Sequence, residues 1–208
     1  MKEFTVFAIL YGIIPLLFYK IKKVKIPSIE PFLWAVFIAS LYEFFGTSVL
    51  KINSDYWFVC YKYLAFFSLH YFFYTLLKGR YKFAFILFGL LFLIQSIVAL
   101  YQWEYLNHLD INAYSSAFET IIVLFFSIVW FRSAFISLEI DSLTKTPNFY
   151  FVSGLILYYS GTVFLFLLAS FIFKVDRSNF KPFWMLNIFL NLVLRTLLIV
   201  GIWKGRQK

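Results

Sequence analysis

The sequence predicts an all-α polytopic membrane protein with seven transmembrane helices, and three observations carry that prediction. First, of 208 residues 62% are hydrophobic and only 14% charged, against about 25% charged in a soluble domain. Second, seven mostly apolar stretches run near the roughly 20 residues that a helix needs to cross a bilayer, at 4–19, 31–50, 57–77, 83–101, 114–135, 149–173 and 183–203. Third, runs such as 83–94 do not alternate apolar with polar residues, which excludes a transmembrane barrel. Disorder is excluded as well, because 30 Phe and 15 Tyr supply far more apolar surface than a disordered chain carries.

The first span follows Met1-Lys2-Glu3 like the start of a signal peptide, but Lys20, Lys22, Lys23 and Lys25 stand where a cleavage site of small residues belongs. It is therefore expected to be retained. Pro15 lies inside it and should kink it, because proline removes a donor and clashes with the preceding turn. Pro27, Pro31, Pro147 and Pro182 fall at span borders, and Trp57, Trp103, Trp184 and Trp203 fall at span ends, the depth that amphipathic rings favour. The longest connections, 102–113 and 136–148, are expected to be loops. With no linker or low-complexity tract, residues 1–208 form one seven-helix domain.

Orientation follows from the Lys and Arg count. The first, third and fifth loops with the C-terminal segment carry 12 positive residues; the opposite side carries 6, namely Lys2, Lys51, Lys62, Lys174, Arg177 and Lys181, and Arg195 lies within a span. Positive residues resist translocation, so the N-terminus is expected outside and the C-terminus in the cytoplasm. The +9 net charge suits anionic lipid beside those loops, and no clustered patch outside the membrane points to nucleic acid.

Chemistry-bearing motifs are absent. There is no HExxH, GxSxG, Walker, CxxC or GxGxxG pattern, Cys60 is alone, and two histidines on opposite sides cannot supply a metal triad. No catalytic residue, metal or cofactor is expected, and the chain reads as non-enzymatic. A retinal protein is excluded because Arg195 stands where the last helix would need its Schiff-base lysine. Glu104, His108 and Asp110 in the fourth loop read as a solvated cluster.

Ionisable groups inside a span cost about 2.5–3.5 kcal/mol or more each and face the bundle interior. Glu43, His70, Glu119 and Arg195 qualify. In the seventh span Asn187, Asn191 and Arg195 recur every four residues and share one face. A rise of about 1.5 Å per residue levels Asn191 with Glu43 and Asn187 with Glu119. The Arg195 fork can reach toward the Glu43 carboxylate. These six residues form the candidate ligand or polar core, with a buried network that merely fixes helix register as the competing reading. In the sixth span Ser153-Gly154 and Ser160-Gly161 put small residues on one face, which lets helices approach closely in lipid.

The stretches FYFVSGLILYYSGTVFLFLLASFIF, FWMLNIFLNLVLRTLLIVGIWK and SSAFETIIVLFFSIVWFRSAF resemble a family of uncharacterised seven-helix inner-membrane proteins of Bacteroidetes, over roughly residues 114–204. The family often has an acid in its third span where Ala65 or Phe66 stands here. The resemblance implies the topology and the role of an accessory or sensory partner of signalling proteins. The function expected is a non-enzymatic sensor or accessory subunit, whose polar core takes a small or lipidic ligand and acts on a cytoplasmic or membrane partner. The alternative is a small channel or transporter using the same core, as a homo-oligomer if the pore lies between copies.

Overall fold

Proline, glycine and short polar side chains punctuate an otherwise continuous helical chain. The computed structural model describes residues 2–52, 55–101, 108–136, 143–175 and 177–206, without the side chains of 2, 55, 56, 58, 108–113, 169, 170, 173–175 and 177–183. Eight α-helices occur among the described residues, with no strand: α1 (Lys2–Tyr11), α2 (Ile14–Ile21), α3 (Glu30–Leu41), α4 (Asp55–Leu76), α5 (Lys82–Tyr101), α6 (His108–Ile136), α7 (Pro147–Val175) and α8 (Arg177–Arg206).

The first span is broken rather than bent. Gly12 N–H and Ile13 N–H bond the carbonyls of Ile9 and Leu10, three residues back instead of four. Pro15 then falls in the opening turn of α2, where its missing donor costs nothing. Pro31 likewise opens α3 and Pro147 begins α7. α3 runs on as a π-helix over Tyr42–Val49, longer than the single-turn bulges in which this form is mostly found. There the hydroxyls of Thr47 and Ser48 both donate to the Glu43 carbonyl, and Leu50 N–H reaches back five residues to Phe45.

Among the described residues, six stretches are long and apolar enough to cross a membrane: Glu3–Ile21, Glu30–Val49, Lys82–Tyr101, Tyr114–Ile136, Pro147–Leu168 and Trp184–Arg206. α4 is long enough at 22 residues, but its tyrosines, Lys62 and His70 lower its hydropathy. Two connections are shorter than expected. α6 already begins at His108, and α7 and α8 run to Val175 and from Arg177, so the ends of this hairpin stay helical beyond the apolar stretches.

Phenylalanine builds the interior. Phe32, Phe66, Phe72, Phe73, Phe126 and Phe151 are fully buried; Phe66 stacks on Phe92 at 3.6 Å and Phe85 on Phe126 at 4.1 Å. The outer surface is equally apolar, with Phe83, Ile97 and Phe164 exposed. Where lipid replaces water the hydrophobic effect cannot choose between these positions, and ring packing holds the helices together. α7 and α8 pack along their length: a Cβ at Gly154 would stand 3.1 Å from Leu197, and one at Gly161 2.7 Å from Leu190.

Candidate functional site

Arg195 sits on α8 with only 7% of its surface exposed. Its guanidinium occupies the break in the first span: a Cβ on Gly12 would lie 2.6 Å from its Cζ and would collide with Ser40 Oγ. Arg195 Nη1 donates to the carbonyl of Ala8. That carbonyl is available because Gly12 N–H, its ladder partner in a regular helix, has turned to Ile9. The arginine therefore satisfies a helix break, while its buried Nε has no partner.

Glu43, half-buried at the start of the π-helical segment, lies within electrostatic reach of Arg195. No ion pair is seen between the two, whereas Lys20 and Glu30 pair at 2.5 Å. The expected Glu43–Arg195 fork is thus replaced by a bond to main chain. A backbone carbonyl fixed in the break presents a better-placed acceptor than a flexible carboxylate across the core.

Glu119 on α6 is 6% exposed and accepts a hydrogen bond from Tyr159 of α7 at 2.7 Å. Lys62 of α4 is in electrostatic reach of it. Tyr61 and Tyr158 lie in reach of Arg195, Glu43 and Glu119 together. The two acids therefore belong to one zone shared by α3, α4, α6, α7 and α8. Asn187 does not bond Glu119; its Oδ1 is buried without a partner. Asn191 is half-buried on the same face. On α5, Gln95 donates to Ser115 of α6 at 2.7 Å, and on the flank of α8 Thr196 meets the Tyr11 hydroxyl at 3.2 Å.

His70 stands apart from this zone. It stacks on Phe66 at 5.4 Å and meets Phe85 and Phe126 edge-on, and its Nδ1 is buried without a partner. Gly154 lies on α7 against Leu194 and Leu197 of α8, its neighbour Ser153 is half-buried, and Ser160 beside Gly161 turns its hydroxyl back to the Ile156 carbonyl at 2.6 Å. Glu104 and the side chains of His108 and Asp110 lie outside the described residues. Among the described residues no group of three metal-ligating side chains comes together.

Tyr61, Lys62, Tyr158, Tyr159 and the Ala8 carbonyl are members that the sequence pattern does not flag. Lys62 counts there as an outer charge although it lies on α4. Tyr158-Tyr159 adjoins Ser160-Gly161, and Pro15 announced that carbonyls in the first span would need a donor. Comparison with protein-family models, with characterised proteins and with solved structures finds no match for this chain.

Proposed function

We propose that the protein is a seven-span membrane sensor or accessory subunit, whose polar intramembrane core receives a small or lipidic ligand and passes the change to a cytoplasmic or membrane partner. The observation that carries this reading is the arrangement at Arg195. A buried guanidinium is held on a discontinuous helix, its Nε is left without a partner, and Glu43 lies within its electrostatic reach without an ion pair between them. A core built only to fix helix register would satisfy these groups, because unpaired buried polarity costs about 1–3 kcal/mol per group. A ligand supplying an acceptor to Arg195 and a donor to Glu43 or Asn187 would complete the set.

Seven spans, including α4, are supported by parity. Gly205 near the end of α8 packs against Val24 and Ile26 of the first connection and against Pro147 at the start of α7. These three points share one end of the bundle, so the chain crosses an even number of times between 26 and 147. With α3, α5 and α6 counted, this parity favours a crossing by α4 too. The same end carries the basic connections, which favours the cytoplasm for it and the outside for the start of α1.

The broken first span favours a second reading, a small transporter or channel, because discontinuous helices beside polar groups are how transporter sites are built. A cryo-EM map of the protein in native-lipid discs tests both. Density beside Glu43, Asn191 and Arg195 is the expected result, and its chemistry identifies the ligand class. A closed core with every polar group paired to protein would overturn the proposal.

A further inference from the structure

A groove of 340 Å³ opens on the outer surface between the start of α3 and the middle of α4, lined by Pro31, Tyr63, Leu64, Phe67, Ser68 and Tyr71. Leu64, Phe67 and Tyr71 are exposed along it, while Ser68 is buried. The Ser68 hydroxyl is already committed to the Leu64 carbonyl, so the interior of the groove calls for hydrocarbon. From Tyr63 to Tyr71 it follows α4 for about 12 Å, room for a good part of one acyl chain.

Pro31 marks the end of the groove toward the connections 20–31 and 77–82, which are strongly basic. Pro31 follows Glu30, whose carboxylate is held by Lys20 at 2.5 Å, and Lys20 also lies 5.7 Å from the Trp34 ring. Segments 20–31 and 77–82 together hold Lys20, Lys22, Lys23, Lys25, Lys78, Arg80 and Lys82 against Glu30 alone. Lys23, Lys25, Lys78, Arg80 and Lys82 are exposed. Lys23 and Lys78 adopt positive φ, 51° and 52°, where their helices turn out toward that end. Cations at this level draw anionic headgroups to the membrane surface.

We propose that this groove is a binding site for an anionic glycerophospholipid, one acyl chain lying along α4 from Tyr71 to Tyr63 and the phosphate drawn to the basic connections. The site is separate from the polar core at Arg195, and it rests on the membrane-spanning reading alone.

The test uses the full chain purified from membranes, with phosphatidylglycerol and phosphatidylcholine as competing probes in native mass spectrometry. The expected result is one retained phosphatidylglycerol at about tenfold preference, the equivalent of about 1.4 kcal/mol. Ser68→Leu fills the groove and should abolish retention. Should that variant misfold, Leu64→Trp lays a larger ring across the exposed rim and should weaken retention at least fivefold. Joint Lys78→Gln and Arg80→Gln substitution should bring the preference toward unity with the groove intact. Equal retention of the two lipids, or undiminished phosphatidylglycerol on the groove-filled chain, overturns the proposal. Release of the chain from membranes by alkaline carbonate would overturn the membrane-spanning reading and this site with it. Equal lipid binding by a chain that stays in the membrane removes the groove site alone.

Discussion

Arg195 and His70 are both cationic side-chain types on long helices, the first buried and the second half-buried, and their surroundings differ in kind. Arg195 is bound into main chain: it donates to Ala8 and fills the space beside Gly12, next to Ser40. His70 is bound into rings, stacked on Phe66 and edged by Phe85 and Phe126, with its polar approach limited to the Phe85 backbone. A spanning helix must satisfy its own carbonyls because lipid offers no donors. A guanidinium at a break is therefore structurally committed, whereas an imidazole among phenylalanines serves largely as a flat ring. Glu119 falls between them, with one firm bond from Tyr159 and a cation in reach.

Substitutions across these sites break or sharpen that contrast. Gly12→Val should have the largest effect, because its side chain takes the space of the guanidinium and of Ser40 Oγ. Displacing a buried charge from its partner costs about 3–5 kcal/mol, read as a drop in unfolding free energy in mixed micelles. Arg195→Met keeps the volume but leaves the Ala8 carbonyl unbonded, and about 1–3 kcal/mol should be lost in the same assay. Tyr159→Phe removes one interhelical hydrogen bond and should cost about 0.6–1.7 kcal/mol. His70→Phe should change stability by no more than about 1 kcal/mol, since the new ring retains the stacking. A loss at His70 as large as that at Arg195 would erase the distinction between the two sites.

Much of this architecture is legible from local chemistry. Pro15 breaks the first span, Pro31 and Pro147 open helices, and Gly154 and Gly161 lie where α8 comes closest, all because a missing donor or a missing Cβ acts within one turn. The partners of the polar groups are less legible. Spacing placed Glu43 and Arg195 at compatible depths, yet it carries no record of a freed carbonyl at Ala8, which arises only once Gly12 N–H turns to Ile9. Lys62 was hidden by its sequence position near a span end, and the helical continuity through 177–183 by the polar residues there, which can extend a helix beyond the apolar stretch as readily as form a loop. In the π-helical segment Thr47 and Ser48 share one carbonyl, a detail that hydropathy does not register.

The central claim is that Arg195 is committed to the helix break and leaves Glu43 available for a ligand. A double-mutant cycle of Arg195→Met and Glu43→Gln, measured as unfolding free energy without added ligand, tests it most directly. The account predicts a coupling below about 1 kcal/mol, with Glu43→Gln alone leaving stability nearly unchanged. A coupling of about 2 kcal/mol or more would show that the two charges pair with each other, and would contradict it.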